Sequence, residues 1–175
     1  MLDVASGGGR HARWLAAAGY TVEAVDRNID PLADLADVRA ITVRRLDLET
    51  EAWPYSSASF TGIVVTNYLH RPLFPLLLEA LMAGGVLIYE TFAVGSEHYG
   101  KPRNPDYLLR PGELRAMVVG RLEILGFEEG VVGDPRPAVV QRLCARLPEN
   151  TASNGDASST PAQLLSGKTD KITIA

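Results

Sequence analysis

The first ten residues constrain this chain more than any other stretch. A short apolar run, Leu2-Asp3-Val4-Ala5, gives way to Ser6-Gly7-Gly8-Gly9 and then to a helix-forming segment from Arg10. Glycines at a strand-to-helix turn reach positive φ without steric cost and let a ligand press against bare backbone, while the helix start offers unpaired N–H donors. The pattern predicts a nucleotide-type cofactor site at the C-terminal edge of a central strand.

The rest of the chain supplies the matching scaffold. Residues 2–5, 21–25, 40–46, 60–66 and 86–91 are strand-length runs rich in Val, Ile and Leu on both faces, as parallel strands covered by helices on each side require. Helices are predicted between them at 10–18, 31–36 and 72–82, the last with Pro72 near its start and Gly84 just past its end, and a further one at 111–119. Two final apolar runs, 122–132 and 138–145, are separated only by Gly-Asp-Pro-Arg-Pro. A parallel crossover needs about a dozen residues, so these two strands pair as an antiparallel hairpin. The expected fold class is α/β, a doubly wound, mainly parallel seven-stranded sheet with a terminal antiparallel hairpin.

Composition sets the outer limits. At 175 residues the chain has room for one domain, read as residues 1–148, followed by residues 149–175, which lack aromatic residues, are rich in Ser, Thr, Asn and Gly, and are expected to form a disordered tail. Seventeen Lys and Arg against 21 Asp and Glu give a net charge of −4 with no basic patch, which argues against nucleic acid as a principal ligand. No run approaches the ~20 apolar residues of a membrane span, and no signal sequence opens the chain. The single cysteine, Cys144, leaves no intrachain disulfide and suits a reducing cytoplasmic setting. His11 and His98 lack metal-ligand spacing, and no metal site is expected. Neither composition nor motif sets an oligomeric state.

The second strand ends in Asp26, placed to accept both ribose hydroxyl hydrogens of an adenosine. Two cofactor classes fit. Gly7-x-Gly9-x-x-Ala12 satisfies the loose dinucleotide pattern of an NAD(P)-dependent oxidoreductase. Asp3, four positions before Gly7, adds negative charge beside a pyrophosphate but suits a sulfonium ligand whose methionyl part carries an ammonium. A carboxylate bonded to loop amides to hold the turn is the other reading of Asp3.

Leu2 to Arg10, then Val25-Asp26-Arg27-Asn28, then Leu81-Met82-Ala83-Gly84-Gly85-Val86-Leu87 resemble the serial motifs of class I S-adenosylmethionine-dependent methyltransferases, whose sheet is Rossmann-like. Gly9-Arg10 and Leu108-Leu109-Arg110-Pro111-Gly112-Glu113-Leu114 are similar to the tellurite-resistance-type branch. The resemblance covers about residues 1–145 and departs at Ala5 (a glycine in the family), Ala83 (commonly proline) and Thr61 (often aspartate). It implies methyl transfer from S-adenosyl-L-methionine to a small-molecule acceptor, with no nucleic acid or membrane partner. It places Ala5, Gly7 and Gly9 at the methionyl part together with Asp3 and Arg10, Asp26 on the ribose with Arg27 and Asn28 flanking, Asp47 at the adenine amine with Leu48 beside the ring, and Asn67 and Tyr68 as the floor between cofactor and acceptor. A turn-initiating aspartate is the other reading of Asp47.

In-line displacement at a sulfonium asks mainly for alignment and exclusion of water, with a general base only where the acceptor must lose a proton. His70, Arg71, Glu90 and Tyr68 are the candidates at the sheet edge. His70 also reads as a surface residue capping the Pro72 helix, and Glu90 as a structural hydrogen-bonding partner. Residues 93–106 form a long connection of aromatic, basic and proline residues, the composition of a substrate lid, in which Lys101 and Arg103 attract an anion or are simply solvated. Met1 stands two residues before Asp3, whereas a central strand normally runs about five to six. The family has Val before Leu-Asp and a further N-terminal helical segment, so the chain is expected to be a shortened form of a longer protein. A non-catalytic cofactor-binding remnant is accordingly a third reading.

Overall fold

The computed structural model describes residues 1–133 and 136–149. The expected tail lies outside the described residues apart from Glu149, as do two residues of the hairpin turn. Seven strands, β1 (Leu2–Val4), β2 (Val22–Asp26), β3 (Ile41–Arg45), β4 (Phe60–Thr66), β5 (Leu81–Phe92), β6 (Glu123–Val132) and β7 (Ala138–Arg146), form one sheet in the order β3-β2-β1-β4-β5-β7-β6. The first five are parallel, and β7 runs antiparallel between β5 and β6. β1 is the pivot: Asp3 sits between Ala24 of β2 and Val64 of β4. The chain winds outward from β1 through β2 and β3, then resumes on the other side with β4, which leaves a crevice at the β1/β4 switch point.

The alternation of β1 divides the core. Leu2 and Val4 join a large cluster with Ile63, Val65, Leu77, Leu81, Leu87 and Leu114 on one face. On the other face α1 (Arg10–Ala17) buries Ala12 and Leu15 against Val22, Ala24, Leu32, Leu35 and Val64. β4 is buried on both faces, with Ile63, Val64 and Val65 all at 4% exposure or less. β5 departs from the expected double covering, since Leu87 and Tyr89 are buried while Ile88 between them is 43% exposed. β6, the sheet edge, is mostly exposed along its length.

Three helix expectations are corrected. Residues 31–36 form a 3-10 helix, Asp30–Leu35, because its buried residues Leu32 and Leu35 stand three apart, the spacing that a three-residue turn stacks on one side. The 72–82 helix is a 3-10 turn, Arg71–Leu73, followed by α2 (Phe74–Ala80). It stops at Leu81, which is extended and pairs with Phe60 as the start of β5, so Gly84 belongs to that strand and donates its N–H to the Leu147 carbonyl at 2.9 Å. Sheet pairing thus overrides the helical continuation of the Leu-rich run. The 111–119 helix is shorter, α3 (Glu113–Val118), entered through Gly112 at φ 65°.

Candidate functional site

At the C-terminal edge of β1, β2, β4 and β5 lies a cleft of about 490 Å³. The chain reaches it through the glycine turn after β1. Ser6 donates to the Val25 carbonyl and Gly9 to the Ser6 carbonyl, which closes the turn, with Ala5, Gly7 and Gly9 all at positive φ (52°, 54° and 73°). Asp3 lies beneath the turn, 1% exposed, and its Oδ2 accepts the Ala12 N–H of α1 at 2.9 Å. Burial pushes its carboxyl up to about 6, against the pull of that N–H.

Asp26 ends β2 at the rim of the cleft. Its Oδ2 accepts the Gly7 N–H at 2.8 Å and its Oδ1 the Asn28 N–H at 2.9 Å, so the carboxylate ties the first turn to the second. Asp47, beyond β3, accepts the Glu49 N–H at 3.0 Å, and that bond holds its carboxyl below the usual range. It forms a turn and lines the cleft at once. Tyr68 is half-buried, and burial pushes its hydroxyl above the ordinary tyrosine range. Its carbonyl accepts the Tyr89 hydroxyl at 2.9 Å, which fixes the chain beyond Asn67, itself at φ 55°.

Ala5, Asp26, Arg27, Asp47, Leu48, Asn67 and Tyr68 are therefore brought together around one cleft. Asp3 of β1, Gly7 and Gly9 of the first turn, Arg10 at the start of α1 and Asn28 of the second turn lie behind it and do not line it. Glu90 pairs with Arg142 of β7 at 2.6 Å, and His70 lines an adjoining hollow of about 170 Å³ with Trp53 and Pro72, which shares Leu46, Leu48 and Glu49 with the cleft. His11 meets the Thr66 hydroxyl through Nδ1 at 3.3 Å, and burial holds its imidazole below the usual range. Sequence reasoning missed Leu46, Glu49 and Leu69, Thr91 and Phe92 at the end of β5, and Tyr107, while Pro102 falls within the 93–106 connection whose composition suggests a lid. Strand parity held a signal for Thr91, which follows Glu90 and faces the other way.

No protein-family model matches the chain, and a search of curated proteins found no match. Solved structures do match. An S-adenosylmethionine-dependent methyltransferase from Methanosarcina mazei has a TM-score of 0.66 and 15% identity over 85% of this chain and 92% of that one. TehB from Haemophilus influenzae has a TM-score of 0.68 and 18% identity over 83% of this chain and 57% of that chain. The fold is that of the class I methyltransferases. The geranyl diphosphate C-methyltransferase of Streptomyces coelicolor, solved with Mg2+, geranyl diphosphate and S-adenosyl-L-homocysteine, has a TM-score of 0.61 and 16% identity over 83% of this chain and 70% of that chain. At such identities the likeness is one of fold, and the reaction has to be argued from the cleft.

Proposed function

We propose that this chain binds S-adenosylmethionine in the cleft and transfers its methyl group to a small-molecule acceptor. One observation carries the reading. Each oxygen of Asp26 accepts a single backbone N–H, and an ionised carboxylate offers about four acceptor sites, so two remain for a pair of ribose hydroxyls. The cleft volume falls within the usual range for a small-ligand site. Its charged lining, Asp26, Asp47 and Glu49 against Arg27, favours a cationic ligand such as a sulfonium. The same balance favours a neutral or cationic acceptor over an oxyanion, whereas the likeness to TehB and the Leu108 to Leu114 motif favour the tellurite-resistance-type branch.

In this reading Asp26 holds the ribose with Arg27 and Asn28 beside it, Asp47 meets the adenine amine, and Leu48 packs on the ring. Ala5 borders the methionyl part, Gly7, Gly9 and Arg10 shape the turn and helix start behind it, and Asp3 acts from beneath by holding the turn through Ala12. The sulfonium supplies an activated methyl carbon. The chain's task is to align the two reactants and exclude water, with Asn67 and Tyr68 as the floor. Tyr68, kept protonated by burial, donates a hydrogen bond rather than taking a proton.

A nicotinamide-dependent oxidoreductase is disfavoured by Asp3. Its carboxylate already occupies the third amide of α1, one of the donors a pyrophosphate would need, and adds an anion behind it. Calorimetric titration with S-adenosylhomocysteine and NADH separates the two, with binding of the first expected. Asp26→Ala removes charged hydrogen bonds worth ~1.5–3 kcal/mol each, so its affinity for S-adenosylhomocysteine falls at least about tenfold. Unchanged affinity sinks the ribose assignment, and a preference for NADH overturns the class. Turnover in an acceptor screen that includes amines, phenols and oxyanions separates an enzyme from a binding remnant.

A further inference from the structure

Part of the cleft wall comes from the long connection between β5 and α3, which contributes Pro102 and Tyr107. Burial does not hold that wall in place. None of residues 97–107 is buried, and the buried anchors Ser96, Leu108 and Leu109 lie at its two ends. The base is closed by backbone pairing, Leu109 N–H to Phe92 carbonyl and Val94 N–H to Leu109 carbonyl, both at 2.9 Å.

What grips the returning limb is Arg71, three residues beyond Tyr68. Its Nε and one terminal nitrogen donate to the two oxygens of Glu113 at 2.6 and 2.9 Å. The terminal nitrogens also donate to the carbonyls of Asp106 at 2.7 Å and Leu108 at 2.9 Å, the residues on either side of Tyr107. The guanidinium spends four of its five N–H groups on this clamp. Its far end is rigid. Glu113 also accepts the Arg110 N–H at 2.7 Å, and the fully buried Gln141 accepts from Leu114 N–H at 2.9 Å while donating to the Arg110 carbonyl at 2.6 Å. Glu129 of β6 accepts the Gly112 N–H at 2.9 Å. The Arg110-Pro111-Gly112-Glu113-Leu114 turn is thus bolted to β6 and β7, and Arg71 bolts the loop to the turn.

We propose that Arg71 is a positioning residue of the cleft, a latch that holds residues 106–108 to the Glu113 turn and so fixes Tyr107 as the wall on the acceptor side. The word acceptor rests on the methyltransferase reading; the latch itself does not. Lysine is no substitute, because a single ammonium does not span a carboxylate and two carbonyls in one plane.

Hydrogen–deuterium exchange on the full chain, without ligand, tests it. In Arg71→Met the amides of residues 97–108 exchange at least about tenfold faster, trypsin cleaves after Arg103 correspondingly faster, and peptides from β1 and β4 keep their wild-type rates. Arg71→Lys recovers melting temperature and not loop protection. Arg142→Met, which breaks the Glu90 pair on the sheet, leaves the loop at its wild-type rate. Unchanged loop exchange in Arg71→Met overturns the latch. So does acceleration shared equally by β1 and β4, which marks a merely structural role, and so does full rescue of the loop by lysine. If Arg71→Met does not fold, Glu113→Gln decides by the same comparison. Failure of S-adenosylhomocysteine to bind the wild type overturns the methyltransferase reading instead, and the exchange result still decides the latch.

Discussion

Asp3, at the centre of β1, and Ala5, which opens the turn after it, each carry a cost that the fold accepts. The Asp3 carboxyl is 1% exposed and pushed up to about 6 by burial, from 3.8 in the unfolded chain. A carboxyl whose folded value is raised binds its proton more tightly in the native state, so the stability it contributes is complete below pH 4 and is lost as pH rises through 6. About two pH units correspond to roughly 3 kcal/mol at ~1.4 kcal/mol each. Asp3→Asn keeps an oxygen for the Ala12 N–H without the charge. Urea unfolding is expected to show it equal to the wild type at pH 4 and more stable by about 2–3 kcal/mol at pH 7, and a constant difference across that window would refute this account. Ala5 sits at φ 52°, where a side chain costs about 1–2 kcal/mol and glycine pays only its own chain entropy. Ala5→Gly is expected to raise the urea midpoint, by about 0.5–1 kcal/mol in stability with an unchanged slope.

The terminal hairpin does more than complete the sheet. β7 packs between β5 and β6 and brings Gln141 under the start of α3, where one side-chain amide satisfies the Leu114 N–H and the Arg110 carbonyl and reaches Glu129 at 3.2 Å. Gln141→Leu is close in volume but leaves buried donors and acceptors bare, at about 1–3 kcal/mol for each. Chemical denaturation is expected to show a loss of about 2–4 kcal/mol. A loss under about 1 kcal/mol would mean that water replaces the amide. β6 contributes little burial of its own, so its place in the fold comes from its ladder with β7 and from Glu129.

Across the whole molecule the two cores have different jobs. The larger one reaches the cleft through Leu46 and Leu69, while its member Leu87 stands two strands away from β1, in register with Ile63 and Leu2. The smaller one places Leu35 and Leu32 directly against Gly9, so close that a Cβ there would stand 2.6 and 2.8 Å from their methyl groups. Leu-to-Ala changes in cores cost about 2–5 kcal/mol. Leu87→Ala is expected to lose stability in that range and to keep its affinity for S-adenosylhomocysteine within about twofold. Leu32→Ala is expected to lose both stability and affinity, because the turn relaxes into the space left behind. Calorimetry on the two folded variants checks the contrast, and equal affinities would show that the turn is held by its hydrogen bonds alone.

Much of this was legible in the chain. The Leu2 to Arg10 run demanded a strand, a left-handed turn and a helix, because few other conformations suit three consecutive glycines between apolar and helical segments. The five-residue spacer between the last two apolar runs forced an antiparallel hairpin by its length alone. Asp26 was readable as a cleft residue because the ends of parallel strands in a doubly wound sheet meet at one edge, and Asp47 only through the resemblance to the methyltransferase motifs. Local pattern failed where a distant partner decided. Leu81 left its helix because Phe60 offered a strand ladder, and residues 30–35 tightened because Leu32 and Leu35 had to reach Gly9 together. Asp3 and Ala12, nine residues apart, met only because the turn between them closed. The same holds most plainly for Arg71 and Glu113. Nothing within either segment marks them as a pair 42 residues apart, and it is the closing of the sheet around β7 that brings a guanidinium, a carboxylate and two loop carbonyls into one plane of hydrogen bonds.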